Sequence, residues 1–363
     1  MKRLVLCCDG TWNTPDQQRG GRSSPTNVTR VALAVTPHDG GTEQRVFYQP
    51  GVGTAVWERV RGGAFGWGLS RGVKDVYRFV VDNYEPGDEV FLFGFSRGAY
   101  MARSTAGLIR NAGILRRENA ARIGQAYALY RDRVVRPRDT ESELFRRSFS
   151  HADAPIRFLG VWDTVGALGI PLYRNPLTAL INRRWQFHDV ELSRSVQAAY
   201  QALAIDETRR PFAPAVWEQD PEADDQTLEQ VWFAGSHSDV GGGYAETGLS
   251  DVALGWMADR ARACGLAFDE GAFTWPVDAG RPADADGGFV PDPRGRLHDA
   301  STGAARFLGR EARTLGAQPT GRESVASTVL VRRQQDATYR PRNLDGFLEV
   351  SPDRIVAVGP WDP

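Results

Sequence analysis

Over the first 265 residues, short and largely apolar runs alternate with stretches whose apolar positions recur at helical spacing. The runs at 3–8, 45–49, 89–93, 156–162 and 230–234 are too short for helices and have no polar face. That is the pattern of strands buried on both sides of a parallel sheet. Four stretches between them read as helices: Val28 to Val35, a segment with Val73, Val76, Tyr77 and Val80 on one face, residues 100–112 up to Gly113, and residues 120–131. Residues 190–204 read as another. Ser250 reads as the N-cap of a helix that carries Ala253, Trp256, Met257, Ala261 and Cys264 on one face and stops at Gly265. Strands alternating with helices in this order predict right-handed crossovers. The fold class expected is α/β, with a mainly parallel sheet and helices on both faces.

The breaks in the pattern are informative as well. Residues 14–26 form a polar loop, the glycine-rich stretch 61–69 reads as a loop, and the arginine-rich segment up to residue 150 reads as a solvated face. Residues 166–187 are apolar but interrupted by Gly169, Pro171 and Pro176, which suits a cap insertion over a cleft better than a core helix. Residues 270–296 have no period and read as a long loop, and the tail offers strands at 326–331 and 354–358. The division expected is a principal domain over 1–270 and a loop-rich extension over 271–363, packed on the same domain.

Composition narrows the function classes. Of 363 residues, 44 are Lys or Arg and 45 Asp or Glu, so the net charge of −1 gives no global attraction to nucleic acid. After the basic start only five apolar residues run uninterrupted to the first acidic charge, too few for a signal peptide. The chain is expected to be cytoplasmic as synthesised, with any export left to a route that needs no signal peptide. Cys7, Cys8 and Cys264 lack C-x-x-C spacing and read as buried, reduced thiols rather than a zinc site.

The chemistry centres on Gly94-Phe95-Ser96-Arg97-Gly98, which follows the strand at 89–93 and opens the helix after it. A G-x-S-x-G pattern is weak in a chain with 39 glycines, but the order strand, serine turn, helix makes it a nucleophile elbow. Ser96 is then the candidate nucleophile. Such sites run in chain order Ser, acid, His, which leaves His188, His237 and His298 as bases. His237 alone follows a buried strand directly, in a glycine-flanked loop expected to be flexible. Asp163 is the acid at the end of the strand after the elbow. In these roles His237 accepts the Ser96 proton and Asp163 orients the imidazole. The plainer roles stay open: Asp163 as a helix N-cap, His237 as a residue satisfying its own loop. Asp239 is a rival orienter or a loop acceptor, and Asp9 a supporting group. The oxyanion donors expected are the backbone N–H of Arg97 and that of Gly10 or Thr11.

Two other chemistries compete. A phosphatase loop of the D-x-D-G-T type fits Asp9-Gly10-Thr11 poorly, because Cys7 stands where the attacking carboxylate belongs. A divalent metal held by Asp9, Asp163, His237 and Asp239 is the other alternative. It would make the chain a metal-dependent hydrolase.

Six motifs taken in order carry a resemblance: Asp9 to Asn13, Gly51 to Thr54, Gly94 to Tyr100, Val161 to Gly166, Ala204 to Glu207, and Gly235 to Tyr244. Over residues 3–265 the chain resembles the α/β-hydrolase-like family that contains the catalytic domain of type VI secretion phospholipase effectors. In the tail, Leu297 to Asp299 and Tyr339 to Pro341 also fit, whereas Ser324 to Ser327 lacks a histidine expected there. The resemblance implies an α/β-hydrolase-like fold with cap insertions and Ser96, Asp163 and His237 as a triad. The expected activity is that of a serine hydrolase, a lipase or phospholipase acting on a small-molecule or lipid ester without an organic cofactor. Transient membrane contact is compatible with such a substrate. The apolar segments 56–69 and 166–187 would flank the cleft and favour medium or long acyl chains. A non-catalytic module binding a lipid or protein partner through the same cleft is the alternative from another class. The sequence says nothing of oligomeric state.

Overall fold

The computed structural model describes residues 1–11, 13–51, 64–132, 134–165, 192–223, 225–275, 288–301, 309–318 and 322–361. The chain opens with β1 (Lys2–Cys8), a small hairpin of β2 (Gln18–Arg19) and β3 (Arg22–Ser23), α1 (Asn27–Ala34), β4 (His38–Asp39) and β5 (Thr42–Gln49). It continues through α2 (Ala64–Asn83), β6 (Glu89–Phe95), α3 (Arg97–Ala112), α4 (Ile123–Arg131), α5 (Thr140–Phe149), β7 (Ile156–Trp162), β8 (Ala198–Ala204) and β9 (Thr227–Phe233). After these come α6 (His237–Gly241), α7 (Gly248–Ala263), β10 (Glu323–Ala326), α8 (Ser327–Gln335), α9 (Arg342–Val350) and β11 (Ile355–Val356).

Among the described residues, nine strands form one sheet in the order β11-β10-β9-β8-β7-β6-β1-β5-β4. All neighbours are parallel except the edge pair β4 and β5. The architecture is an α/β fold with a mainly parallel sheet. Alternation along the central strands sends Leu4, Leu6, Val90 and Leu92 into a core with residues of α2 and α3, and Val5, Cys7, Phe91 and Phe93 into a core with α1 and α7. Both faces are therefore covered by helices, as a parallel sheet requires. The three cysteines are buried and free, and burial pushes the Cys8 thiol up to about 12.

Several local expectations change. Residues 198–204, read as part of a helix, form β8 between β7 and β9, with all seven side chains buried. The alanine-rich run has high helix propensity, but burial on both faces overrides it. Part of the glycine-rich stretch, residues 64–69, is already in α2, whereas the arginine-rich segment, which contains α5 with Ser142 as its one buried residue, does present a solvated face. Helix α7 starts at Gly248, so Ser250 lies in its first turn rather than at its cap. In the tail the strand ends at Ala326 and α8 begins at once. Strands β10 and β11 extend the main sheet beyond β9. The expected cap insertion 166–187 and residues 56–63 lie outside the described residues. Among the described residues, no helix is long and apolar enough to cross a membrane.

Candidate active site

The site forms at the carboxyl edge of the sheet, where β1, β6, β7, β8 and β9 end side by side. Ser96 joins β6 to α3 with φ 57° and ψ −119°, a positive-φ backbone conformation rare for a residue with a side chain. Its amide donates to the Trp162 carbonyl at 3.0 Å, which fixes the elbow against the end of β7. The flanking glycines are steric requirements. A Cβ on Gly94 would lie 2.6 Å from the Ala99 Cα, and one on Gly98 would run into the Cys8 carbonyl. The elbow thus packs directly on the end of β1.

Asp163 follows β7 with φ 43° and is fully buried. Its amide donates to the Ala202 carbonyl at 2.7 Å, so the turn is pinned to β8. One carboxylate oxygen accepts from the Ala204 amide at 3.1 Å, and the other meets His237 Nδ1 at 2.5 Å. A buried arginine from the tail, Arg313, grips both oxygens: Nη1 donates to Oδ1 at 2.6 Å and Nη2 to Oδ2 at 2.9 Å. Burial alone would push the Asp163 carboxyl up. The Arg313 charge and the His237 bond outweigh it and hold the group well below the usual carboxylate range.

His237 opens α6 rather than a flexible loop. A capping box at Ser236 and Asp239 fixes that short helix, and the His237 ring is buried between Phe95 (centroids 4.6 Å apart) and Phe212 (5.0 Å). Phe95 directly precedes Ser96, so the imidazole stands beside the elbow. Its amide donates to Glu207 at 3.3 Å, and Glu207 is paired with Arg209 at 2.7 Å. Burial draws the His237 pKa below its ordinary value; Asp163 and Glu207 oppose this, and Arg209 adds to it. Of the groups that hold the Asp163 carboxyl low, the Arg313 charge comes first and His237 second.

The remaining expected residues divide. Asp239 does not bond the His237 ring as a rival orienter: it accepts from the Ser236 amide and hydroxyl, both at 2.9 Å, and from His298 Nδ1 at 2.6 Å. His298 is therefore held by Asp239 and stacks on Tyr244 at 3.9 Å. Asp9 accepts from the Gly10 amide (2.6 Å), Tyr48 (2.6 Å), Thr26 (2.7 Å) and Thr29 (2.9 Å). Burial still raises its carboxyl against the pull of these donors. The loop it organises touches the elbow, since a Cβ on Gly10 would lie 3.4 Å from the Ser96 Cβ. The Gly10 amide is committed to Asp9, whereas the buried Thr11 hydroxyl has no partner among the described residues. Among the described residues, no three His, Cys, Asp or Glu side chains are grouped so as to hold a metal ion. Arg313, Glu207 and Phe212 were not singled out by sequence. Glu207 ends one of the quoted motifs, but nothing local marks Arg313, 150 positions from Asp163.

Residues 2–260 match the family model described as "T6SS, Phospholipase effector Tle1-like, catalytic domain". Uncharacterized protein YEL023C of Saccharomyces cerevisiae is 27% identical over 234 residues, 58% of this chain and 32% of that protein. Among solved structures, an uncharacterized protein from Pseudomonas aeruginosa aligns with a TM-score of 0.43 and 17% identity over 73% of this chain and 46% of its own. The Tle1 effector bound to the VgrG spike from the type 6 secretion system aligns with a TM-score of 0.38 and 19% identity over 67% and 51%. The chain therefore spans between a third and a half of the length of these relatives.

Proposed function

Since this chain belongs to the family of type VI secretion Tle1-like phospholipase effector catalytic domains, we propose that it is a serine hydrolase cleaving an acyl ester of a lipid or phospholipid. The observation that carries the reading is a serine on a strained strand-to-helix elbow, beside a buried His237 whose Nδ1 lies 2.5 Å from the Asp163 carboxyl group. An ionised Asp163 can only accept, so Nδ1 carries the imidazole proton and Nε2 is left as the free base.

The steps follow from that tautomer. Ser96 Oγ attacks the ester carbonyl carbon while Nε2 of His237 takes the hydroxyl proton, and the imidazolium so formed is stabilised by Asp163. The carbonyl oxygen becomes an oxyanion, received by the Arg97 amide and by the Thr11 backbone amide, which is favoured over that of Gly10 because the Gly10 amide already donates to Asp9. The tetrahedral intermediate collapses by breaking the bond to the alkoxy oxygen, which takes the proton from His237 and leaves as an alcohol. Water, deprotonated by the same nitrogen, then cleaves the acyl-serine. No step requires a metal or an organic cofactor. Export without a signal peptide, and docking on a secretion spike such as the VgrG partner of the solved Tle1 effector, belong to the same proposal.

A fluorophosphonate probe followed by peptide mapping tests the nucleophile, with Ser96 as the expected labelled residue. Ser96→Ala is expected to lower ester hydrolysis by about 10³-fold or more with the fold intact. Activity retained in that variant, or persistent loss after chelation that Ca²⁺ or Mg²⁺ restores, overturns the reading.

A further inference from the structure

Arg313 lies beyond residues 2–260 that match the family model, yet its side chain reaches the centre of the candidate site. The segment before it is laid along the loop after β8: the Arg210 amide donates to the Gly309 carbonyl at 3.2 Å and the Glu311 amide to the Thr208 carbonyl at 2.8 Å. From there the guanidinium makes four hydrogen bonds. Besides the fork on Asp163, Nη1 donates to the Ala204 carbonyl at 2.9 Å and Nη2 to the Phe212 carbonyl at 2.6 Å. One buried side chain thus ties together the end of β7, the end of β8 and the turn whose phenyl ring walls the imidazole.

We propose that Arg313 is a positioning residue of the hydrolytic site: it holds the Asp163 carboxylate in the orientation that receives His237. The proposal rests on the serine-hydrolase reading given above. A buried ion pair placed for stability alone would be a weak choice, because a well-packed apolar pair of similar volume often serves as well. Here the same carboxylate also orients the imidazole, so the geometry of the pair is transmitted to the base.

The charge argument has a definite sign. The charged groups near the imidazole are Asp163 at the end of β7, Glu207 and Arg209 after β8, Arg313 from the tail, and Asp239 within α6; Asp206 accepts from the Gly235 amide two residues away. Phe95 and Phe212 supply apolar walls. With a neutral imidazole, Asp163 is paired with Arg313 and Glu207 with Arg209. Proton transfer to His237 adds one positive charge at the moment the substrate oxyanion adds one negative charge. Without Arg313 the resting site would carry an uncompensated carboxylate next to the ring. That carboxylate would stabilise imidazolium in the free enzyme and raise the pH at which the base becomes available.

The test uses the full chain with histidines labelled for NMR, His237 being assigned by its loss in His237→Gln. In Arg313→Met the His237 titration is expected to move to higher pH. The acid limb of kcat/KM moves with it, and the plateau falls by about 10²-fold from lost orientation. Arg313→Lys keeps the charge without the fork, so its titration should stay close to that of the unaltered protein while its plateau recovers only in part. A folded Arg313→Met protein whose His237 titration is unchanged overturns the proposal. If Arg313→Met does not fold, Asp163→Asn combined with Arg313→Met removes both charges and is expected to fold again; failure to do so overturns the pairing. The titration needs no turnover. Complete lack of hydrolysis by the unaltered protein would therefore sink the proposed function while leaving the role of Arg313 to be read from NMR.

Discussion

The steric constraint at Gly98, where a Cβ would meet the backbone of β1, yields a prediction of definite sign. In Gly98→Ala the new Cβ would lie 2.6 Å from the Asp9 carbonyl oxygen and closer still to the Cys8 carbonyl. Those atoms are backbone at the end of β1, itself paired with β5 and β6, so no side chain can swing aside. Overpacking of this kind costs about 1–3 kcal/mol, and a backbone-to-backbone clash belongs at the upper end. Relief requires the start of α3 to move away from β1, carrying Ser96 and the Arg97 amide away from Gly10 and Thr11. A displacement of about 1 Å between reacting groups costs on the order of 10²-fold in rate. Gly346→Ala in α9 is the matched control, because no atom lies within 4 Å of its Cβ position. Removing a glycine from that helix interior should stabilise by about 0.5–1 kcal/mol and leave turnover unchanged. Denaturant unfolding gives the stability and hydrolysis of a chromogenic ester gives kcat/KM. Equal stability and equal kcat/KM in Gly98→Ala would refute the account of the elbow.

Three further outcomes are expected. His237→Ala should abolish hydrolysis, whereas His298→Ala, which frees only the outer side of Asp239, should leave substantial kcat/KM; the reverse ranking in steady-state kinetics would transfer the base to His298. Catalysis needs neutral imidazole and the His237 pKa is lowered by burial, so activity should persist as pH falls through the ordinary histidine range; an acid limb of kcat/KM above that range would contradict this. Asp9→Asn replaces one acceptor oxygen by a donor amid the hydroxyls of Thr26, Thr29 and Tyr48, and should destabilise by about 1–3 kcal/mol in denaturant unfolding. Unaltered stability would mean that the carboxylate does not organise the loop.

The elbow was legible because its constraints are local: a strand, a five-residue turn and a helix lie within one stretch, and the turn admits only glycine at 94 and 98. The parallel sheet was legible for a related reason, since strands buried on both faces leave an apolar run that needs no partner to be recognised. Chain order and strand ends selected Asp163 and His237 from few candidates. Local rules failed where long-range burial decided. The alanine-rich run at 198–204 has the propensity of a helix, and only its place between β7 and β9 makes it a strand. The fixed state of α6 likewise depends on Asp239 meeting Ser236 and His298 rather than His237. The engagement of the Gly10 amide also turns on one hydrogen bond to Asp9, which periodicity does not encode. Arg313 shows the limit most clearly. A lone arginine in a loop has no signature, and its role exists only because the tail folds back along residues 208–210 and delivers a guanidinium to a carboxylate 150 positions earlier in the chain.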